Sequence, residues 1–168
     1  MAPQIEAFAG IDDASTDRER FPDGFRYATE LITQEDEVAL LTRISELPFR
    51  EFEFHGYVAQ RRVVSYGLHY DASTRQVRTT EPIPDFLLEL RNNAAQFANQ
   101  EPTELQQALV TEYGAGAAIG WHRDKAVFDE VVGISLVSPC KFRLRRKVGE
   151  KWGLELPGSP GEPMVALR

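Results

Sequence analysis

One short segment combines residue types that bind metal ions: Gly120-Trp121-His122-Arg123-Asp124. In an extended segment, residues two apart point to the same side, so His122 and Asp124 can converge on one point. An imidazole nitrogen and a carboxylate oxygen are two of the three ligands of the facial site that holds non-haem Fe(II). The same triplet is also compatible with a hydrogen-bonded His–Asp pair in a surface loop.

The residues on either side of this triplet predict strands that would position it. The segment from Ala108 to Tyr113 alternates in polarity, so Leu109, Thr111 and Tyr113 share one face of a predicted strand. A glycine-rich turn follows this segment, and the apolar run from Val131 to Val137 predicts the next strand. The shared face is compatible with a common pocket beside the metal triplet.

Helices and further strands are predicted on both sides of this region. A helix is expected from Thr33, which can cap it, to Leu47, because apolar residues recur at helical spacing. A second helix is expected from Asp85 to Asn99, with its apolar residues on one face. Candidate strands are Phe52 to Val58, Arg62 to Leu68 and Lys141 to Lys147. The pattern predicts an α+β protein built on an antiparallel sandwich or barrel.

Length and composition are those of one globular domain: 168 residues, 42% hydrophobic and 27% charged. Residues 1–24 are polar and acidic and predict a loosely ordered lead-in, while residues 153–168 contain three glycines and three prolines and predict an irregular tail. The sequence shows no membrane-spanning run and no secretory signal. A lone Cys140 excludes an intrachain disulfide. We therefore expect a cytoplasmic protein.

Charge is unevenly distributed along the chain. The net charge of −7 argues against a protein that coats nucleic acid non-specifically. Residues 1–60 contain 13 acidic and 5 basic residues, whereas residues 61–168 contain 13 and 14. Five cations lie within the seven residues from Lys141 to Lys147. They are compatible with phosphate contacts or with a solvated face of a sheet.

Taken in order, these motifs resemble the AlkB family of Fe(II)/2-oxoglutarate dioxygenases, over roughly residues 25 to 150. The matching segments are Gln107 to Gly116, Ile119 to Asp124, Val132 to Leu136, Arg61-Arg62, Tyr66-Gly67, Tyr70-Asp71, Pro82-Ile83-Pro84 and Phe142 to Lys147. The resemblance implies a double-stranded β-helix (jelly-roll) core over residues 25–152, with two packed helices and an incomplete C-terminal part. It also implies oxidative demethylation of alkylated nucleobases in DNA or RNA, the chemistry of alkylation repair.

The resemblance assigns roles to individual residues. His122 and Asp124 match the first two iron ligands of the family. Tyr113 matches a tyrosine that contacts 2-oxoglutarate, and Leu109 lies on the same strand face. Thr111 stands where the family usually has asparagine, so that contact to the cosubstrate is expected to be altered. The residues expected to face the substrate, methylated DNA or RNA, are Arg62, Tyr66, Tyr70 and Arg145. Tyr66 and Tyr70 are equally compatible with plain packing of a sheet.

The chain departs from the family pattern after the metal triplet. Its three histidines are His55, His69 and His122, so none follows Asp124, and after Lys147 its one arginine is Arg168. The family's second metal histidine and its carboxylate-binding arginines lie downstream of the triplet. We therefore expect an incomplete metal site, a truncated or frame-shifted terminus, and no strand of the main sheet within residues 153–168. Two alternatives stay open: an inactive member that at most binds nucleic acid, or a 2-oxoglutarate hydroxylase of a protein or lipid.

Overall fold

The computed structural model describes residues 25–54, 57–71, 74–122, 127–138, 147–148, 151–152 and 166–167. The chain divides into two compact units, one of residues 1–29 with 140–162 and the other of residues 30–139 with 163–168. The helices are α1 (Gln34–Ile44) and α2 (Leu88–Ala98). The strands are β1 (Arg50–Phe54), β2 (Tyr57–Tyr66), β3 (Leu68–Asp71), β4 (Gln76–Thr79), β5 (Ala108–Tyr113), β6 (Val132–Gly133), β7 (Lys147–Val148), β8 (Lys151–Trp152) and β9 (Ala166–Leu167).

Helix α1 begins where the sequence predicts, because its first turn is capped locally. The Asp36 amide donates to Thr33 Oγ1 (3.1 Å) and the Thr33 amide donates to Asp36 Oδ2 (3.3 Å), which forms a capping box. Glu35, Asp36 and Glu37 add negative charge at the positive end of the helix. The helix ends at Ile44, three residues before the predicted end.

Helix α2 is preceded by a 3₁₀ turn at Asp85–Leu87 and ends at Asn99, whose left-handed backbone (φ 55°) acts as the C-cap. The face that the sequence predicts to be apolar is the buried one. Ala94 and Ala95 have no exposed surface, so the helix backbone lies close to its neighbours. With Leu87 and Leu90, they form the helical half of the core.

The main sheet has three antiparallel strands in the order β1-β2-β5. Across β2 and β5 the paired residues include Arg61 with Tyr113, Val63 with Thr111 and Tyr66 with Ala108. Strand β5 has the predicted bounds, whereas β2 ends at Tyr66 rather than Leu68. The reason is Gly67, whose φ of 76° turns the chain out of the sheet. Its amide donates to the Glu81 carbonyl oxygen (2.7 Å), and its own carbonyl accepts from the Thr80 amide (3.0 Å).

The two faces of the main sheet have different roles. Tyr66 and Ala108 are buried in one core with the helices, and Val64 and Val110 pack against it. Because side chains alternate along a strand, Arg61, Val63, Leu109, Thr111 and Tyr113 lie on the opposite face. We call the first the helix-packed face and the second the outer face.

The remaining described strands form three two-stranded sheets, β3-β4, β6-β9 and β7-β8. The predicted strand from Val131 to Val137 is reduced to Val132–Gly133, because Val137 has a φ of 72° and the Ser138 amide donates to the Leu136 carbonyl oxygen (2.8 Å). Within the tail predicted to be irregular, Ala166–Leu167 is a strand that pairs with β6 and not with the main sheet.

The described elements are a mixture of helices and antiparallel strands, as predicted, and they are compatible with an oxygenase fold. The jelly roll that the resemblance implies is not seen among the described strands, which pair in one three-stranded and three two-stranded sheets. The predicted strand from Lys141 lies outside the described residues, apart from Lys147 at its end. No helix in the described part of the chain is long and apolar enough to cross a membrane.

Candidate active site

The outer face of β5 carries the three residues predicted to contact a cosubstrate. Leu109, Thr111 and Tyr113 alternate along it, and their partners across the sheet are Ser65, Val63 and Arg61. Leu109 and Thr111 are partly buried, and Tyr113 is 49% exposed. The helices pack on the other face of the sheet. The Thr111 and Tyr113 hydroxyls of the outer face can donate hydrogen bonds to an anionic or carbonyl oxygen.

Strand β5 leads into the metal triplet through a tight turn. The Gly114 amide donates to the Gln60 carbonyl oxygen (3.1 Å), which extends the pairing of β2 and β5 by one bond. The Ala117 amide then donates to the Gly114 carbonyl oxygen (2.9 Å), and Gly116 adopts a φ of 75°. Within the turn, only a residue tolerant of positive φ can occupy position 116 without strain.

His122 is exposed, and its Nδ1 lies 2.9 Å from the Gly120 carbonyl oxygen. A carbonyl oxygen only accepts hydrogen bonds, so a protonated Nδ1 would donate to it. Histidines that bind metals are oriented in this way, with one ring nitrogen donating to a backbone carbonyl and the other facing the metal. Asp124, the second predicted ligand, lies outside the described residues, as does Arg145. The described residues contain no cluster of three potential metal ligands.

Among the described residues, His69 does not complete a cluster of three metal ligands. His69 lies on β3 opposite Arg78 of β4. Adjacent residues of a strand point to opposite faces, so His69 is on the other side of β3 from Tyr70. His55 lies outside the described residues.

Tyr70 lies beside the segment that follows the metal triplet. Its ring centroid is 6.5 Å from that of Phe128, and the two rings meet edge to face at 68°. Phe128 comes four residues after Asp124 in the chain. The contact therefore brings the β3-β4 hairpin next to the metal region, where the resemblance expects a substrate residue.

Gln107 holds this hairpin in place and was not singled out by sequence reasoning. Its Nε2 donates to Ser65 Oγ (2.9 Å) and to the Leu68 carbonyl oxygen (2.8 Å), and the residue is 7% exposed. These bonds tie the start of β3 to the end of β2 and the start of β5. The sequence around Gln107 does not indicate that it is buried and holds the hairpin, because a lone glutamine is usually exposed.

Two of the predicted substrate residues, Arg62 and Tyr66, lie on the helix-packed face. Tyr66 is 8% exposed within the core, and burial, with the nearby Glu81 carboxylate, raises the pKa of its phenol. Arg62 pairs with Glu112 through Nη2 contacts of 2.7 and 2.8 Å to its two carboxylate oxygens. Both residues are occupied in packing or pairing, away from the face that holds Tyr113.

A family profile described as the 2OG-Fe(II) oxygenase superfamily matches residues 24–159. The chain belongs to this superfamily. Neither the comparison with curated proteins nor that with solved structures returns a match. As a 2OG-Fe(II) oxygenase domain, the chain is a dioxygenase by family, with Fe(II) as its metal and 2-oxoglutarate as its cosubstrate.

The donor set fits this metal and cosubstrate in part. His122 has an imidazole with a backbone carbonyl 2.9 Å from Nδ1, and β5 presents the Thr111 and Tyr113 hydroxyls on the face opposite the helices. Asp124, outside the described residues, would add the carboxylate typical of a ferrous site. The chain contains no third ligand of the family type, because no histidine follows Asp124.

Proposed function

We propose that this oxygenase domain removes methyl groups from alkylated nucleobases in DNA or RNA by oxidative demethylation. When bound, Fe(II) with 2-oxoglutarate and O₂ supplies hydroxylation of the N-methyl carbon, with release of succinate and CO₂ and loss of the hydroxylated carbon as formaldehyde. His122 and Asp124 would hold the metal, and Thr111 and Tyr113 would orient the cosubstrate on the outer face of β5.

The contact between Tyr70 and Phe128 is the observation that supports a nucleobase substrate. A base has to leave its stack to reach a buried reactive centre, and aromatic side chains replace the lost stacking. Tyr70 is half-buried and lies in a hairpin held by Gln107, so its ring is held at a defined position. A flat aromatic substrate beside the metal triplet would contact this pair.

The basic segment from Lys141 to Lys147, including Arg143 and Arg145, would contact the phosphates of the nucleic acid. Clustered Lys and Arg side chains neutralise phosphates and release counterions, which supplies affinity without sequence preference. Arg62 is not assigned this role, since its guanidinium is paired with Glu112.

The test is product formation by the full chain supplied with Fe(II), 2-oxoglutarate and an oligonucleotide. We expect formaldehyde and succinate in equal amounts from a methylated oligonucleotide, and no formaldehyde from the unmethylated one. Tyr70→Ala should lower kcat/KM about 10-fold, the value of one lost stacking contact. His69→Ala, on the other side of the same strand, is the matched control and should retain wild-type kcat/KM. Succinate without formaldehyde, or an unaffected Tyr70→Ala variant, contradicts the nucleobase proposal.

A second candidate is an inactive member that binds nucleic acid, and the absence of a histidine after Asp124 favours it. A site with two protein ligands would hold a metal weakly, since affinity rises with the number of ligands the protein supplies. This candidate predicts oligonucleotide binding with no succinate under any metal concentration. Succinate formation that depends on Asp124 excludes it.

A further inference from the structure

The side-chain amide of Gln107 has one possible orientation. Its Nε2 donates to the Leu68 carbonyl oxygen (2.8 Å) and to Ser65 Oγ (2.9 Å). The Leu68 carbonyl only accepts hydrogen bonds, so the nitrogen and not the oxygen of the amide has to face it. Ser65 Oγ donates to the same carbonyl oxygen (2.7 Å), which leaves a lone pair of the hydroxyl to accept from Gln107. These three groups form a closed set of hydrogen bonds, which we call the Gln107 network.

The Gln107 network is buried, at a cost to stability. Gln107 is 7% exposed, and Ser65 and Leu68 are partly buried. Within the described part of the chain, Oε1 of Gln107 is buried without a hydrogen-bond partner. The cost of burying this acceptor offsets the gain from the two donated bonds. An apolar side chain would fill the same place without that cost, so stability alone does not account for an amide at position 107.

The Gln107 network fixes the start of β3, the strand that carries Tyr70. Leu68 is the first residue of β3, and among the described strands β3 pairs with β4 alone. A two-stranded hairpin is marginally stable by itself, so it depends on bonds to the rest of the fold. Tyr70 lies two residues after Leu68, on the same side of the strand and about 7 Å along it. A shift of Leu68 would therefore displace the Tyr70 ring.

We propose that Gln107 is a positioning residue that sets the Tyr70 ring against the substrate base. Tyr70 meets Phe128 edge to face, with 6.5 Å between the ring centroids, and such a contact depends on the distance and angle of the rings. Gln107 acts on this contact through Leu68 and not by touching the substrate itself. The inference rests on the proposed nucleobase substrate.

The first measurement is formaldehyde release by the full chain with Fe(II), 2-oxoglutarate and a methylated oligonucleotide. Gln107→Met removes the amide and leaves the Leu68 carbonyl with the Ser65 hydroxyl as its donor. We expect KM for the oligonucleotide to rise up to about 10-fold, the value of one stacking contact, while kcat is retained. The double variant Gln107→Met/Tyr70→Ala should lose no more than Tyr70→Ala, because Gln107 acts through Tyr70. Gln106→Met makes the same chemical change at an exposed neighbour and should match the wild type.

The second measurement is amide hydrogen exchange of the full chain without nucleic acid. Replacing a residue that only stabilises the fold speeds exchange in all core strands, whereas replacing a positioning residue acts locally. We expect Gln107→Met to speed exchange in Leu68–Asp71 about 10-fold, the effect of the lost hydrogen bonds, and to leave Ala108–Tyr113 at the wild-type rate. If Gln107→Met does not fold, Ser65→Ala removes two bonds of the network and should produce the same pattern.

Three results would overturn the inference. The first is a wild-type KM in Gln107→Met while Tyr70→Ala is impaired, and the second is additive losses in the double variant. The third is exchange in Leu68–Asp71 that is unchanged or that rises together with exchange in Ala108–Tyr113. No formaldehyde from any variant contradicts the demethylation proposal instead, and the exchange measurement then decides whether Gln107 fixes β3.

Discussion

His122 is oriented by a backbone atom only two residues away. The Gly120 carbonyl oxygen lies 2.9 Å from its Nδ1, so the ring has a hydrogen-bond acceptor within its own segment. Arg61 and Arg62, adjacent in the chain, show the opposite situation. Their different partners, Phe52 and Glu112, follow from the strands on either side of β2. The contact of His122 with Gly120 is therefore local in the sequence, whereas the partners of Arg61 and Arg62 depend on how the strands pair.

Tyr66 leads to a prediction about stability at high pH. Burial raises the pKa of its phenol above the ordinary value of about 10, and Glu81 adds to the rise. Above pH 10 the phenol ionises in the unfolded chain before it does so in the folded one. Its contribution is therefore complete below pH 10 and is lost as the pH rises through the folded pKa.

We expect Tyr66→Phe, which keeps the ring in the core, to lose less stability than the wild type between pH 9 and pH 11. Urea unfolding of both proteins at each pH measures this difference, and unfolding at pH 7 controls for altered packing. An equal loss in both proteins would show that Tyr66 ionises alike in the folded and unfolded chains.

At the scale of elements, Gly67 decides where β2 ends and how the β3-β4 hairpin leaves the sheet. A Cβ at this position would overlap the Gln106 backbone carbonyl, and its φ of 76° is unfavourable for other residues. Gly116 has a nearly equal φ of 75° but no atom within 4 Å of such a Cβ. Alanine substitutions at the two glycines therefore distinguish the energetic cost of a positive φ from the cost of a steric overlap with a neighbouring backbone.

Gly116→Ala should destabilise the fold by about 1–2 kcal/mol, the cost of the left-handed conformation alone. Gly67→Ala should cost about 3 kcal/mol or more, because a rigid backbone overlap is added. Chemical denaturation at pH 7 measures both free energies of unfolding. Equal losses would mean that the chain around Gln106 relaxes and that position 67 requires glycine only because of its φ.

Local signals explain which elements were predictable. Thr33 and Asp36 cap α1 by themselves, and the alternation of Ala108–Tyr113 marks both ends of β5. The outer face of β5 was predictable for the same reason. The sequence could not show that Arg61 shares this face while Arg62 and Tyr66 do not, because that depends on the register with β5. It also could not show that β6 stops at Gly133, since the positive φ of Val137 has no local signature.

At the scale of the molecule, the described core lies between the helices and one face of the main sheet. Tyr66, Ala108 and Val132 join it from three strands, and Leu87 to Ala98 join it from the helical side. The outer face of β5 and the turn to His122 lie outside this core. We propose that these two regions form one metal and cosubstrate site.

The most direct test is a titration of the full chain with Mn(II), a paramagnetic substitute for Fe(II), followed by NMR of the side-chain methyl groups. Paramagnetic broadening falls steeply with distance, so it reports which methyls lie near the metal. We predict that the methyls of Leu109 and Thr111 broaden more strongly than those of Val64 and Val110, on the helix-packed face. His122→Ala and Asp124→Ala should each abolish the effect. Equal broadening of both faces, no broadening on β5, or broadening that persists in both variants would contradict the claim.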